Sequence, residues 1–280
     1  DYMREIMMLD DTLRVFENGF YVKDGEKRYL KLSDSERREA RVFLPEQVHS
    51  IRLVGKPSQK CRYTCENADS FAAARRMYAE LSPSERGNNG ILVLNFANPV
   101  NPGGGVRDGA LAQEEDLCRK SSLLLSLESK AAEAYYGYNR SLHSYMSSDA
   151  AIITPKAEII KDENGDYLEE TEIVAVITCA APIVCRGLGG MREDQYLSIF
   201  EKRILGILKC AAYCGYENLV LGAFGCGAFG NDARVVSDLF YRALAEFERY
   251  GAFRNIDFAV LSNSASQYNL REFMRNFGGN

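Results

Sequence analysis

Ile91-Leu92-Val93-Leu94 leads into Asn95-Phe96-Ala97-Asn98-Pro99-Val100-Asn101-Pro102-Gly103-Gly104-Gly105 and, past Val106 to Ala112, into Gln113-Glu114-Glu115. Four consecutive apolar residues, followed by a loop rich in Asn, Pro and Gly, read as a short strand buried on both faces, as in the middle of an α/β sheet. The acidic triplet opens a helix expected to run from about Glu114 to Leu127, because first-turn carboxylates complement the helix dipole and cap free N–H groups.

The same order recurs downstream. A strand over Asn218 to Ala223 leads into Gly222-Ala223-Phe224-Gly225-Cys226-Gly227-Ala228-Phe229-Gly230-Asn231-Asp232, and a helix follows over about Arg234 to Tyr250. Further strands are expected at Arg62–Cys65, Ala150–Ile153, Ile173–Cys179 and Ile256–Leu261. Further helices are expected from Asp69 or Ser70 to Leu81 and over about Glu193 to Cys214. Strands alternating with helices imply parallel pairing with right-handed crossovers. Residues 3–17 place Met3, Ile6, Met7, Leu9, Leu13 and Val15 or Phe16 near helical spacing, an amphipathic helix. Residues 20–60 read as short extended pieces, Asp162 to Asp166 as a solvated hairpin tip, and Tyr135-Tyr136-Gly137-Tyr138 as a surface loop or a flap. With no repeat and no linker, the expectation is one α/β domain: a core over residues 61–280 and an N-terminal elaboration over residues 1–60.

Composition narrows the function. A hydrophobic share of 46% in 280 residues fills a large core, and 26% charged residues argue against disorder or a fibre. The net charge of −5 and pI of about 5.4 argue against bulk nucleic-acid binding. They do not argue against an anionic small ligand, because backbone N–H groups and a helix N-terminus hold phosphate without surplus Lys or Arg. The eight cysteines form no C-x-x-C pair, and the two histidines, His49 and His143, stand far apart. No structural zinc is expected. The cysteines in apolar runs read as reduced core residues of a cytoplasmic protein. The N-terminal DYMREIMMLDDTLRVF carries acids within its apolar pattern and does not read as a signal peptide, and no run is long enough to span a membrane.

In open α/β sheets ligands bind beyond the C-terminal strand ends, where both glycine loops lie. Three successive glycines permit close approach and positive φ. The second loop can aim several N–H groups at a diphosphate. Each feature has a plain alternative: ordinary turn glycines, and a dipole-compensating acidic first turn. Placing two carboxylates directly after a glycine loop favours glycosidic chemistry, which needs a carboxylic acid and a carboxylate. Adjacent helical residues point about 100° apart, so they cannot flank a bond from opposite faces. One would do the acid–base work while the other holds substrate hydroxyls.

The stretch Asn95 to Glu115 resembles the signature of the poly(ADP-ribose) glycohydrolases: three glycines, a spacer and Gln-Glu-Glu. Gly225 to Asp232 resembles that family's diphosphate loop. Glu66-Asn67-Ala68-Asp69-Ser70, Val93-Leu94-Asn95-Phe96-Ala97 and Cys179-Ala180-Ala181-Pro182 resemble its smaller microbial branch. The resemblance implies a macrodomain-like fold, a mixed, largely parallel sheet flanked by helices with an N-terminal helical extension. It implies hydrolysis of ribose–ribose bonds in poly(ADP-ribose) or on ADP-ribosylated proteins, with ADP-ribose as product, no cofactor, no metal, and neither membrane nor direct nucleic-acid binding. By the same resemblance Glu115 is the acid–base residue, Glu114 binds ribose hydroxyls, and Asn98 contacts the distal ribose. Gly103, Gly104 and Gly105 line the catalytic loop beside Gln113, and Gly225, Cys226, Gly227, Ala228, Phe229 and Gly230 hold the diphosphate, with Phe229 against the distal ribose. Asn98-Pro99-Val100-Asn101 departs from the microbial pattern, which has small residues there. Tyr268, Phe258 and Tyr196 are candidates for stacking on adenine, though each also reads as core. The rival functions are a macrodomain that reads ADP-ribose without cleaving it and a mono-ADP-ribosyl hydrolase.

Overall fold

The structure is a computed structural model that describes residues 1–56, 59–87, 89–263 and 267–279. The chain opens with helix α1 (Tyr2–Asn18), started by the Asp1 carboxylate accepting from Met3 N–H and stopped by Gly19 in the left-handed region. A hairpin of β1 (Phe20–Lys23) and β2 (Glu26–Tyr29) follows. Then come α2 (Asp34–Arg37), β3 (Arg41–Phe43), α3 (Pro45–Ser50), β4 (Arg62–Glu66), α4 (Ser70–Glu80), α5 (Pro83–Arg86) and β5 (Ile91–Phe96). Past the first glycine loop stand α6 (Gln113–Lys120), α7 (Leu123–Leu127), α8 (Glu133–Leu142), β6 (Ala151–Lys161) and β7 (Tyr167–Cys179). The chain closes with α9 (Glu193–Tyr213), β8 (Asn218–Leu221), α10 (Ala233–Phe247), β9 (Asn255–Ala259) and α11 (Gln267–Phe277).

Seven strands form one sheet in the order β3-β6-β7-β5-β8-β9-β4. The pairings of β5 with β7 and β8, and of β9 with β8 and β4, are parallel; β6 pairs antiparallel with β3 and β7. The sheet is therefore mixed and largely parallel, as expected. Side-chain alternation divides the core. Leu92 and Leu94 of β5 pack with Phe200, Phe240 and Phe258 toward α9, α10 and α11. Ile91 and Val93 pack with Phe71, Leu117 and Tyr136 toward α4, α6 and α8.

Several local expectations need correction. Residues 20–60 are not wholly extended: Ser33 and Glu36 form a capping box for α2, Pro45 starts α3, and β3 joins the main sheet. The helix after Glu114 is not continuous. It breaks at Ser121-Ser122, where Ser122 N–H donates to Glu158 O (3.1 Å) and Glu158 N–H donates to Ser122 Oγ (2.9 Å), so sheet pairing replaces helical bonds. The buried face of α1 is Leu9, Thr12, Val15 and Phe16, whereas Met3 and Met7 are exposed. Tyr135 and Tyr136 are neither flap nor surface loop. They lie in α8 and are fully buried, edge to face against each other. The 162–166 tip is not simply solvated: Arg75 pairs with Glu163, and a Cβ on Gly165 would meet Met8 Cε at 2.7 Å.

Candidate active site

The strand end of β5 is tied to the start of α6 by Gln113. Its Oε1 accepts from Phe96 N–H (2.8 Å), and its Nε2 donates to Leu94 O (2.8 Å) and Ser70 Oγ (2.9 Å). The whole amide is thereby used to lock strand to helix, which fixes the direction of the two glutamates that follow.

Glu114 is 1% exposed and points back under the strand. Its Oε1 accepts from Asn98 N–H (2.9 Å) and its Oε2 from Asn95 Nδ2 (2.9 Å). Burial pushes its carboxyl up to about 8, aided by the nearby Glu115 charge and opposed by those two hydrogen bonds. No lysine or arginine among the described residues pairs with it. Glu115 is 7% exposed; its Oε1 accepts from Gly105 N–H (3.3 Å), and its Oε2 accepts from no described residue. Both carboxyls close on Gly104, where a Cβ would stand 3.1 Å from Glu115 Oε1 and 3.2 Å from Glu114 Oε1. Gly103 (φ +72°, with a Cβ 2.7 Å from Leu124 Cδ1) and Gly104 (φ +59°) are the positions in this turn where glycine answers both backbone conformation and space.

The preceding loop is held from α8. Asn98 Oδ1 accepts from Val100 N–H and Asn101 N–H, Asn139 Nδ2 donates to Pro99 O (2.9 Å), and Arg140 Nη1 donates to Val100 O (3.1 Å). The departure at Asn98 to Asn101 is thus an Asx-type turn with its own supports. On the other side of the loop, Tyr2 of α1 packs against Gly109.

The second glycine loop is built differently. Gly225 lies at φ +76°, where a Cβ would strike Ala181 and Asn231, both at 2.6 Å. Asn231 braces the turn: its Nδ2 donates to Gly225 O and Pro182 O, and its Oδ1 accepts from the Tyr196 hydroxyl. Val184 N–H donates to Phe229 O (2.8 Å). Cys226 N–H is spent on Ala223 O, its half-buried thiol is pushed up by desolvation, and Gly230 packs on the Cys185 backbone. The next three N–H groups, of Gly227, Ala228 and Phe229, donate to no described protein acceptor. A Cβ on Gly227 would meet nothing within 4 Å. The protein itself gives no steric reason for glycine there.

Between the two loops lies a cleft of about 490 Å³. Phe96, Gln113, Gly225, Gly227, Ala228 and Phe229 line it. Asn98, Gly103, Gly104, Gly105, Glu114, Glu115, Cys226 and Gly230 do not stand on its wall. The carboxylates sit behind the turn, next in the chain to Gln113. Reasoning from sequence missed Leu111, Asp116, Lys120 and Glu163, which also line the cleft. Lys120 Nζ pairs with Asp116 (2.9 Å), whose carboxyl is raised by burial. Glu163 arrives from the β6–β7 tip, a contact no local pattern reveals. Of the adenine-stacking candidates, Phe258 is core, stacked on Phe277, and Tyr196 is buried; Tyr268 is exposed, with its hydroxyl donating to Asp232 Oδ1 (2.6 Å). Among the described residues, no group of three or more His, Cys, Asp or Glu side chains is placed to hold a metal ion.

The family model described as microbial-type PARG, catalytic domain, matches residues 10–162, more than half of the chain. The chain belongs to that family. The architecture agrees. A poly(ADP-ribose) glycohydrolase (PARG) crystal structure from Thermomonospora curvata is 29% identical with a TM-score of 0.86, covering 98% of this chain and all of that one. The structure from the same organism bound to the inhibitor ADP-HPD has the same identity and coverage and a TM-score of 0.84. The PARG of Deinococcus radiodurans in complex with ADP-ribose is 38% identical with a TM-score of 0.75, covering 88% of this chain and 98% of that one. No curated protein sequence matches.

Proposed function

We propose that the chain is a metal-independent glycosidase that hydrolyses ribose–ribose O-glycosidic bonds in poly(ADP-ribose) and releases ADP-ribose. The observation that carries this reading is the unequal engagement of two adjacent glutamates beside a cleft with free N–H donors. Among the described residues Glu115 Oε2 has no donor, whereas both oxygens of Glu114 are held. Glu115 is therefore the acid–base group. Protonated, it gives its proton to the departing ribose oxygen as an oxocarbenium-like species forms. As a carboxylate it then takes a proton from the water that attacks the anomeric carbon.

Glu114 receives ribose hydroxyls, Asn98 the distal ribose, and the turn Gly103 to Gly105 shapes the catalytic loop with Gln113 as its brace. The N–H groups of Gly227 to Phe229 hold the diphosphate, with Gly225, Cys226 and Gly230 setting the loop's shape and the Phe229 ring against the distal ribose. The 1–60 segment acts with the core as one unit, supported by β3 pairing in the main sheet and by Arg119–Glu5 and Lys161–Asp11 ion pairs to α1. A cytoplasmic setting fits eight cysteines that are all free. No described helix is long and apolar enough to cross a membrane. Incubation with poly(ADP-ribose) and separation of the products tests the reading. Free ADP-ribose is the expected product; polymer that binds yet stays intact would make the chain a reader.

A further inference from the structure

Position 95 interrupts an apolar strand. Ile91 to Leu94 are all buried, yet the next residue, equally buried at 0% exposure, is an asparagine. A buried amide without partners costs about 1–3 kcal/mol, so its bonds need explaining. Asn95 Nδ2 donates both to Glu114 Oε2 (2.9 Å) and to Thr178 Oγ1 (3.0 Å), and Asn95 pairs with Thr178 across β5 and β7. Its Oδ1 is buried with no donor. The amide therefore offers Glu114 a donor while holding an unused acceptor in reserve. An N–H donor suits an ionised carboxylate; a protonated carboxyl needs an acceptor instead. Turning the amide over supplies it, since Oδ1 then faces both the Glu114 proton and the Thr178 hydroxyl, and the two orientations differ only by exchange of N and O.

We propose that Asn95 is a positioning residue for the glycosidase reaction: it fixes the Glu114 carboxyl beside Glu115 and accommodates Glu114 in either protonation state by turning its amide. This rests on the reading of the Glu114–Glu115 pair given above. The geometry explains why asparagine, rather than serine or a hydrophobic residue, stands here. Serine could be donor or acceptor but would not span from Thr178 to the carboxylate; leucine would leave Glu114 with one donor, Asn98 N–H. The titratable groups around Glu114 are Glu115 and Cys118 on its own helix and Tyr135 and Tyr136 on α8, none of them cationic at neutral pH. Burial raises the Glu114 carboxyl, and with no cation among these groups the hydrogen bonds from Asn95 and Asn98 are what favour its ionised form.

The test uses the full chain and two readouts. The first is the carboxyl 13C resonance absent from Glu114→Gln, followed through pH, which reports Glu114 whether or not polymer is cleaved. In Asn95→Leu its midpoint rises by about half a pH unit or more, because the bond to the ionised form is the stronger one lost. In Asn95→Asp two coupled steps appear, since two facing carboxyls share one proton. The second readout is turnover on poly(ADP-ribose). Asn95→Leu lowers kcat about ten- to a hundredfold with ADP-ribose affinity within about threefold. Asn95→Asp stays active only below the pH at which the shared proton leaves. Thr178→Val, a milder change that keeps the strand, gives a smaller fall in kcat and moves the same resonance in the same direction. An unmoved Glu114 midpoint in Asn95→Leu overturns the proposal, as does a loss of rate equal at every pH in Asn95→Asp. If Asn95→Leu does not fold, an unmoved midpoint in Thr178→Val overturns it. An inactive wild type with a responsive resonance would refute the glycosidase reading and leave the Asn95–Glu114 coupling standing.

Discussion

The two glycine loops leave the same edge of one sheet and differ in what they do with hydrogen bonds. In the 103–115 region the polar groups are turned on one another: Gln113 locks Phe96 and Leu94, Asn98 folds onto Val100 and Asn101, and Glu114 collects N–H donors from Asn95 and Asn98. In the 222–232 region Asn231 makes the bends, and the N–H groups of the run Gly227-Ala228-Phe229 meet no acceptor among the described residues. One loop is finished internally and leaves a single carboxylate oxygen, Glu115 Oε2, without a donor among the described residues. The other is left incomplete, in the way an anion completes. In the proposed reading this difference separates chemistry from binding, and substitutions in the two loops should separate in the same way.

The largest effect is expected from Glu115→Gln. Turnover on poly(ADP-ribose) should fall about a hundred- to ten-thousandfold, the usual range for removing a general acid–base group. A variant that keeps most of its rate would remove Glu115 from that role. Gly227→Val comes next. A Cβ there meets no described atom within 4 Å, so the fold should survive while ADP-ribose affinity drops roughly ten- to a hundredfold by calorimetry. Unchanged affinity would reduce this loop to a plain turn.

Glu114→Gln sharpens the contrast through stability. The folded-state pKa of Glu114 lies near 8, above its ordinary value of 4.5. Between those values the folded protein holds a proton that the unfolded chain has released, so this group's contribution is present below pH 4.5 and is lost as pH rises through 8. The wild type should therefore lose melting temperature from about pH 5 to about pH 9 more steeply than Glu114→Gln, by roughly a few degrees. Parallel melting curves across that window would mean Glu114 is already ionised in the folded protein at its acid end. The smallest effect is expected from excess chelator: turnover should stay within about twofold, since the proposed steps use only a carboxyl and water. Activity lost in chelator and restored by a divalent ion would break the metal-free scheme.

The loops were legible in sequence for different reasons. Ile91 to Leu94 and Leu219 to Leu221 are apolar runs that lead toward glycine-rich loops. Helix starts such as that at Asp69, whose Oδ1 accepts from Ala72 N–H, need only local geometry. What stayed hidden depends on distant partners. Ser121-Ser122 leaves the helix because Glu158, far along the chain, offers backbone pairing. Tyr135 and Tyr136 read as surface because their polar hydroxyls and the nearby Gly137 hide a helix whose Asn139 and Arg140 hold the Pro99–Val100 turn. The exposure of Met3 and Met7 follows from α1 turning Leu9, Thr12, Val15 and Phe16 inward, with Glu5 and Asp11 pairing Arg119 and Lys161 beside that face. In the site, the carboxylates and free N–H groups could be placed from motif and spacing. The roles of Gln113 as brace and of Cys226 and Gly230 as scaffold show only in where their bonds and contacts go.

The division of labour is tested most directly by titrating ADP-ribose into Glu115→Gln and Gly227→Val side by side in a calorimeter, with turnover measured on the same preparations. Glu115→Gln should bind ADP-ribose within about threefold of the wild type while its rate is nearly abolished, and Gly227→Val should lose affinity. Loss of ADP-ribose binding in Glu115→Gln comparable to that in Gly227→Val would contradict the separation of chemistry from diphosphate binding.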